Sequence, residues 1–300
     1  MIRAQLNGRL GNQLFIYAFT RKCMEIYNQP ALIYDRKKEA DSKWYSHLDG
    51  YKLNENVKFT SDKSDIRQFN LKQKLLYMYH FLRTRKMTQR ERHEFQKKMF
   101  DVFFKEGFIL YHDGYIDIPN KEKKDIYIEG YFQSAKFFDD IRDKLLQEIK
   151  PREEHTEEEK ELIQKIDNTE SVCLTIRLGD YIGNATHQVC TKEFYKQAME
   201  QMHRLYPNCV FYAFSDEVNR LREIFDFDYE VIYDSGKSRD IQSLDVMAHC
   251  KHFIISNSSF SWWAQYLSTN PNKTVIAPSR WYAADVPTDI MQSEWKLIEC

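Results

Sequence analysis

Short apolar runs alternate with amphipathic stretches through the second half of the chain. Each apolar run is bounded by turn residues, and the stretches between the runs carry apolar residues at helical spacing. Strands are predicted at 171–177, 209–215, 229–233, 252–256 and 273–277. Helices are predicted near 191–206, 217–225, 239–250 and 259–268. Such regular alternation predicts a doubly wound, Rossmann-like domain with a parallel sheet.

The first half opens on the same pattern. A strand at 2–6 leads through a turn into a helix over about 13–27, and a strand follows at 31–35. This βαβ opening predicts a second parallel sheet. Further along, the pattern predicts a helical and basic stretch over 64–100, a strand over 125–130 and an amphipathic helix over 134–149.

A proline and a charged run mark the boundary between the two halves. Pro151 disfavours helical continuation of the residue before it. Thr156 and Glu159 have the spacing of a capping box at the start of a new helix. Two domains are therefore predicted, over 1–150 and 151–300.

Composition narrows the class of protein. The 300 residues include 44 basic and 45 acidic side chains, so no overall charge favours nucleic acid as a partner. Six scattered cysteines show no metal-binding spacing, which favours a reducing compartment. The chain has no apolar run long enough to cross a bilayer, and its amino terminus does not look like a signal peptide. We expect a cytoplasmic protein that is soluble or at most peripheral on a membrane.

The turn after the strand at 171–177 carries the first candidate chemistry. Arg177 would lie at the carboxyl end of this strand, where open α/β sheets bind ligands, and a guanidinium pairs well with phosphate oxygens. Asp180 can position that arginine or accept a proton. His187, in the following loop, is a second candidate for the general base.

A polar cluster follows the strand at 252–256. Asn257, Ser258 and Ser259 precede Phe260 at a predicted helix start, where hydroxyl and N–H groups together can cradle a phosphate. Plain N-capping would explain one of the serines but hardly the whole cluster.

The amino-terminal turn is a weaker anion-site candidate. Gly8 and Gly11 allow close backbone approach, and Arg9, Asn12 and Gln13 flank the predicted helix start. The alternative is a tight strand-to-helix turn with Asn12 as the N-cap.

Two further carboxylates have alternative interpretations. Asp216 can cap the helix that follows it or hold a sugar or ribose hydroxyl. Asp245 can be an exposed helix residue, or its two oxygens can accept hydrogen bonds from a guanine.

Five motifs together resemble the bacterial α-1,2-fucosyltransferases of glycosyltransferase family 11. They occur in the family's order and span nearly the whole chain: 8–13, 129–134, 176–181, 214–216 and 257–263. The resemblance implies a GT-B-like fold, with two Rossmann-like domains facing across a cleft. It also implies an inverting, metal-independent transfer of L-fucose from GDP-fucose to a glycan hydroxyl, the O2 of galactose in an α-1,2 linkage.

The resemblance also assigns roles to individual residues. It implies that Arg177 pairs with the donor's β-phosphate and that Asp245 reads guanine. Ser258 and Ser259 would hold the pyrophosphate, and Asn12 would reach into the cleft near it. The domain over 1–150 would then be the acceptor side, and the domain over 151–300 would bind the donor.

The chain departs from the family's His-x-Arg-Arg-x-Asp motif at two positions. Thr175 replaces the histidine and Leu178 replaces the second arginine. The alternatives are therefore transfer of another GDP-sugar, formation of another linkage, or a catalytically weak nucleotide-binding relative. No metal or other cofactor is expected.

The basic, aromatic segment over 67–98 has two interpretations. It can be a solvated helix pair that covers the first domain. It can instead make peripheral contact with an anionic membrane, on the inner face of the plasma membrane, where lipid-linked glycan acceptors reside.

Overall fold

A computed structural model describes residues 1–35 and 48–300. The chain divides into two compact units, Met1–Lys150 with Asp285–Ile290, and Pro151–Ala284 with Met291–Cys300. The main division therefore falls at the proline noted in the sequence. The return of a short carboxyl-terminal segment to the N-terminal unit was not predicted.

The N-terminal unit contains a five-stranded parallel sheet in the order β3-β2-β1-β5-β4. Its strands are β1 (Ile2–Gln5), β2 (Ala31–Tyr34), β3 (Val57–Thr60), β4 (Phe108–Tyr111) and β5 (Ile126–Gly130). The predicted strands β1, β2 and β5 are confirmed, whereas β3 and β4 were not predicted. Because β1 and β5 are parallel neighbours, the loops that follow them begin at the same edge of the sheet.

The helices of this unit differ from the prediction in two places. They are α1 (Leu10–Tyr27), α2 (Lys63–Ile66), α3 (Leu71–Thr84), α4 (Gln89–Lys105) and α5 (Arg142–Glu148). The helical stretch predicted over 64–100 is three helices, because capping boxes formed by Asn70 with Gln73 and by Thr88 with Glu91 each begin a new helix. The stretch before α5, predicted as helix, consists of two short 3₁₀ turns at 135–137 and 139–141.

The start of α1 also differs from the prediction. Arg9 is its N-cap, so the helix begins at Leu10 rather than near Gln13. Asn12 therefore lies inside the first turn, and its interpretation as the N-cap is wrong.

The C-terminal unit contains a six-stranded parallel sheet in the order β11-β10-β9-β6-β7-β8. Its strands are β6 (Glu170–Ile176), β7 (Cys209–Ser215), β8 (Val231–Tyr233), β9 (His252–Ile254), β10 (Val275–Pro278) and β11 (Lys296–Ile298). Its helices are α6 (Glu157–Asp167), α7 (Lys192–Leu205), α8 (Val218–Ile224), α9 (Asp240–Ala248) and α10 (Ser259–Leu267). All five strands predicted in this half are present, and their order is that of the Rossmann dinucleotide-binding fold.

Burial on both sheet faces explains why the strands of this unit are easy to recognise. Val172 and Leu174 of β6 are fully buried, and Phe194 and Met202 of α7 belong to the same apolar core. Parallel strands covered by helices on both faces read as continuous apolar runs. The capping box of Thr156 and Glu159 is also present, at the start of α6.

Two further expectations concern the chain as a whole. All six cysteines are free thiols. Over residues 1–35 and 48–300, no helix is both long enough and apolar enough to cross a membrane.

Candidate active site

The strand order of the C-terminal sheet reverses between β6 and β9. The chain runs from β6 outward through β7 to β8, then returns to β9 and runs outward the other way. Ligands of open α/β sheets bind beyond the carboxyl ends of the strands at such a point. The turn after β6 and the serine cluster after β9 both begin at this place. Thr175 joins them, because its Oγ1 accepts a hydrogen bond from the backbone N–H of Ser256 at 3.0 Å.

Three neighbours hold the side chain of Arg177 in the turn after β6. Nη2 donates to Oδ1 of Asp180 at 2.8 Å, and Nη1 lies 3.2 Å from Oδ2 of Asp216. The guanidinium carbon lies 5.4 Å from the centre of the Tyr181 ring. Nε is buried and makes no hydrogen bond to any residue that the structure describes. This mostly buried cation is therefore fixed in place before any ligand arrives.

Asp216 organises the arginine turn from the neighbouring strand. Ile176 pairs with Ser215 in the β6–β7 register, which brings the residues that follow these strands together. The Asp216 carboxylate accepts hydrogen bonds from the backbone N–H groups of Leu178 and Gly179, at 3.0 and 3.1 Å. A Cβ atom on Gly179 would lie 2.5 Å from Oδ2 of Asp216, so a side chain at this position would displace the carboxylate.

Helix capping is not the role of Asp216. The N-cap residue of α8 is Glu217, and no side chain caps that helix. The capping interpretation is therefore wrong. A contact between Asp216 and a donor hydroxyl stays a prediction.

Two tyrosine rings lie against the candidate base His187. Its ring contacts those of Tyr181 and Tyr282, with centroids 5.3 and 5.7 Å away. Burial lowers the pKa of His187, and the charge of Asp180 only partly opposes this. Burial also raises the pKa of Tyr181 to about 12. His187 is therefore neutral at pH 7 and can accept a proton, while Tyr181 remains a phenol.

The polar cluster after β9 divides into structural and available groups. Asn257 is buried, and its Nδ2 donates to the carbonyl oxygens of His187 and Trp281 at 3.0 and 2.9 Å. Ser258 is the N-cap of α10, and its Oγ accepts from the N–H of Phe260 at 3.3 Å. The side chains of Asn257 and Ser258 therefore form hydrogen bonds that stabilise the C-terminal unit.

Ser259 and Phe260 form the first turn of α10 and are half-buried. Here an anion would meet the positive end of the helix dipole. The phosphate-cradle interpretation therefore depends on this first turn, with Ser258 shaping it.

Asp245, on α9, is anchored by a histidine that the sequence reasoning missed. Nε2 of His155 lies 2.8 Å from Oδ2 of Asp245, and Nδ1 of the same ring lies 3.3 Å from Oε2 of Glu159. Glu159 itself accepts from the N–H of Thr156 in the capping box. A signal was present, because His155 directly precedes that box. His155 therefore fixes the orientation of the carboxylate expected to read guanine.

The amino-terminal turn is organised within its own unit. Gly8 has φ +75°, and a Cβ there would lie 2.4 Å from Nδ2 of Asn12. Oδ1 of Asn12 accepts from Nε2 of Gln133 at 2.8 Å, and Nε2 of Gln13 donates to the carbonyl oxygen of Gly8 at 3.0 Å. The remaining motif residues lie at the start of α1: Arg9 and Gly11. Two of the five motifs, 8–13 and 129–134, are thus joined by a hydrogen bond.

Glu129, the first residue of the motif over 129–134, is a buried carboxylate whose tyrosine partners were not anticipated from the sequence. Oε2 of Glu129 accepts hydrogen bonds from the hydroxyls of Tyr77 and Tyr127, both at 2.7 Å. Burial alone would raise the pKa of Glu129, but these hydrogen bonds together with the nearby charge of Arg67 lower it. Glu129 therefore remains ionised inside the N-terminal unit.

The described residues include no group of three or more His, Cys, Asp or Glu side chains arranged to hold a metal ion. The expectation of metal-independent chemistry stays a prediction that a chelator can test.

Comparison with known proteins assigns the family. The model of glycosyl transferase family 11 matches residues 1–299. The O-antigen biosynthesis glycosyltransferase WbnK of Escherichia coli is 25% identical, over 97% of this chain and 98% of its own length. An alpha-1,2-colitosyltransferase of Escherichia coli is 30% identical over 55% of this chain and 59% of its own. A galactoside 2-alpha-L-fucosyltransferase of Caenorhabditis elegans is 28% identical over 60% and 51%.

The fold also has a match among solved structures. The NodZ alpha-1,6-fucosyltransferase structure soaked with GDP-fucose covers 90% of this chain and 96% of its own, with a TM-score of 0.52 and 12% identity. Together with the two parallel α/β sheets, this confirms the predicted GT-B-type fold class. The chain is a glycosyltransferase, and it belongs to glycosyl transferase family 11.

Proposed function

We propose that this enzyme transfers L-fucose from GDP-fucose to a glycan hydroxyl, O2 of galactose, and forms an α-1,2 linkage. The observation that carries the proposal is the family match over residues 1–299, with a fixed arginine at the ligand-binding edge of the C-terminal sheet. Two relatives are named as a 2-linked fucosyltransferase and a 1,2-linked colitosyltransferase. Both names support 2-linked transfer of a deoxy sugar.

The donor is proposed to bind the C-terminal unit. Arg177 would pair with the β-phosphate, and the first turn of α10 at Ser259 would meet the same diphosphate. Asp245, held by His155, would accept hydrogen bonds from guanine N1–H and N2–H₂. Each of these groups is held by protein contacts, which is the condition for electrostatic stabilisation without reorganisation.

The proposed reaction is a single displacement with inversion. The acceptor oxygen attacks the anomeric carbon, the bond from that carbon to the β-phosphate oxygen breaks, and its electron pair leaves with GDP. Negative charge grows on the departing phosphate beside Arg177, so the arginine stabilises the transition state more than the ground state. The acceptor proton passes to Asp180 or to His187. Whichever variant, Asp180→Asn or His187→Asn, loses turnover while keeping GDP affinity identifies the base.

A second candidate donor is GDP-colitose. Colitose is the 3-deoxy form of fucose and lacks the hydroxyl on C3. An enzyme that transfers colitose therefore needs no side chain that hydrogen-bonds to this hydroxyl. The colitosyltransferase relative favours this alternative. Thr175 is buried and bonded to the end of β9, so it does not replace a charged side chain at the donor.

The acceptor is proposed to be an oligosaccharide or a lipid-linked glycan. The proposed location is cytoplasmic, with peripheral contact at the inner face of the plasma membrane. The reaction is proposed to need no metal ion.

The test is a donor and acceptor screen with the purified full chain. GDP-fucose, GDP-colitose and GDP-mannose are each incubated with lactose and other terminal β-galactosides, with and without EDTA. Products are detected by mass, and the linkage is assigned by NMR. We expect an α-1,2-fucosyl product whose yield EDTA does not change.

Arg177→Ala tests the site, with the exposed Arg204→Ala as the matched control. Removing one donor to a developing oxyanion lowers the rate by about a hundredfold to a thousandfold. We expect such a loss for Arg177→Ala and none for Arg204→Ala. Near-normal turnover of Arg177→Ala would show that the chemistry lies elsewhere, and a product formed only from GDP-colitose would replace the proposed donor.

A further inference from the structure

Helix α3 has apolar side chains on two opposite sides. One side carries Leu76 and Tyr77, which pack against the core of the N-terminal unit. The other side carries a row, the outer stripe, whose members are spaced four, three and four residues apart along the helix. The outer stripe is Leu71, Leu75, Met78 and Leu82, with exposed fractions of 74%, 54%, 51% and 50%. Residues at this spacing lie on one face, so α3 presents a continuous apolar strip to solvent.

Cations border the outer stripe on both sides. At 100° per residue, Lys74 and Arg85 lie along one border, and Lys72 and Arg83 lie along the other. No acidic residue occurs between Asp65 and Glu91. Nζ of Lys72 lies 2.7 Å from Oε1 of Glu106, the C-cap residue of α4. Lys74, Arg85 and the following Lys86 form no ion pair with any residue of the described ranges.

The apolar outer stripe and the cations beside it together indicate what kind of partner binds this surface. A second copy of α3 would cover the apolar stripe, but it would also bring two sets of unpaired cations together. An anionic bilayer satisfies both features, because apolar side chains enter the interface while cations meet the lipid phosphates. We propose that α3 docks the protein on an anionic membrane surface, with the outer stripe inserted and the bordering cations on the headgroups.

The helix is formed before it docks. Asn70 and Gln73 make a capping box at its first turn, and its inner side packs on the protein core. Membrane binding therefore does not have to bear the cost of folding the helix. Fourteen residues span about 21 Å, which suits a helix lying in the plane of the interface.

This inference deepens the proposed function, because a lipid-linked acceptor would lie in the same membrane surface. It does not depend on which sugar is transferred. Binding to vesicles and transfer of sugar are measured separately, so either can fail alone.

The test is co-sedimentation with vesicles of phosphatidylcholine, with and without phosphatidylglycerol. We expect the wild-type chain to bind the vesicles that contain phosphatidylglycerol, and to bind less as salt rises, because surface charge is screened. Lys74→Glu/Arg85→Glu should weaken binding by roughly 25-fold or more, at about fivefold for each cation lost. Leu75→Ser/Leu82→Ser should abolish insertion.

Matched controls come from the C-terminal unit. Leu205 and Leu297 are comparably exposed, so Leu205→Ser/Leu297→Ser repeats the apolar change. Arg204→Glu/Lys296→Glu repeats the charge change at exposed positions. Both should bind vesicles like the wild type, and circular dichroism should be the same for all variants because every changed side chain is exposed.

Equal binding to neutral and anionic vesicles would overturn the proposal, as would equal losses in the α3 and control variants. Concentration-dependent dimers in sedimentation velocity, lost in Leu75→Ser/Leu82→Ser without any vesicle binding, would assign the stripe to self-association instead. Vesicle binding without sugar transfer would remove the proposed function and leave the docking surface. Transfer to soluble acceptors without vesicle binding would support the proposed function and overturn the docking surface.

Discussion

The guanidinium of Arg177 has two carboxylate partners, and they differ in what they hold. Asp180 accepts a hydrogen bond from the side chain of the arginine. Asp216 also accepts two backbone hydrogen bonds, so it holds the main chain of the turn. At the residue scale, Asp216 is therefore the group that sets where the arginine stands.

Asp216→Asn tests this difference. An amide can accept only one of the two backbone hydrogen bonds, and it removes the charge beside Nη1 of Arg177. Losing hydrogen bonds to a charged group costs about 1.5–3 kcal/mol, so GDP affinity should fall about 10- to 100-fold. The measurement is GDP titration by calorimetry.

Asp180→Asn makes the same chemical change beside the same arginine and leaves the two backbone hydrogen bonds of Asp216 in place. We expect it to bind GDP at least as well as the wild type, because it removes a competing anion. An equal loss of affinity in both variants would contradict the structural role of Asp216.

At the scale of elements, a buried polar link joins α3, α4 and the end of β4. Nε2 of Gln96 donates to Nε2 of His80 at 3.0 Å and to Nδ1 of His112 at 2.9 Å. Oε1 of Gln96 accepts from the backbone N–H of His112 at 3.1 Å, which fixes the orientation of the amide. Both ring nitrogens therefore face a donor and must be unprotonated.

Stability should depend on pH through this pair. Burial lowers the pKa of His80 and of His112 to about 4, whereas an unfolded histidine titrates near 6.5. Between these values the unfolded chain binds more protons, so the contribution is complete above about pH 6.5 and is lost as pH falls toward 4. From pH 7.5 to 4.5 the wild type should lose more unfolding free energy than His80→Asn/His112→Asn, by on the order of 5 kcal/mol, about half of it from each histidine.

Urea unfolding at several pH values provides the measurement. The exposed His249→Asn is the matched control. If the unfolding free energy fell by the same amount with pH in the wild type and the double variant, the proposed role of His80 and His112 would be contradicted.

The sequence predicts most of the strands, and length does not decide which ones are missed, because β8 and β9 have only three residues each and were predicted. Strand β6 is recognisable because both of its faces are buried and its apolar run is unbroken. Strands β3 and β11 have two exposed residues each, so neither forms an unbroken apolar run. Strand β4 is buried throughout, and its apolar run over Phe108–Tyr111 was overlooked. The end of α4 did carry a signal, since Gly107 follows its C-cap with φ +83°.

The candidate site shows the same limit. The pairing of Arg177 with Asp180 could be anticipated because the two residues are three apart. The role of Asp216 could not, because it depends on the register of β6 against β7. The anchoring of Asp245 by His155 joins residues 90 positions apart and depends on how α6 and α9 pack.

At the scale of the whole molecule, the segment Asp285–Ile290 belongs to the N-terminal unit. Asp289 holds it there, because Oδ2 accepts from the N–H of Tyr115 and Oδ1 from Nζ of Lys136, both at 2.8 Å. Asp285 makes an ion pair with Arg90 that is largely exposed.

The two aspartates should therefore differ in their effect on stability. Asp289→Ala should lower the unfolding free energy by about 1.5–3 kcal/mol, because it leaves a backbone donor without its charged acceptor. Asp285→Ala should cost at most about 1 kcal/mol, as exposed ion pairs do. Urea unfolding of the full chain measures both, and a larger effect at Asp285 would contradict the assignment.

The return of this segment means that the chain passes between its units three times, after Lys150, Ala284 and Ile290. A fragment that ends at Lys150 would lack a piece of its own unit. Proteolytic nicking at the proline linker would leave two polypeptides, and the carboxyl-terminal one would still carry the missing piece. The nicked halves should therefore copurify, and complementation by separately expressed halves should require residues 285–290 on the second half.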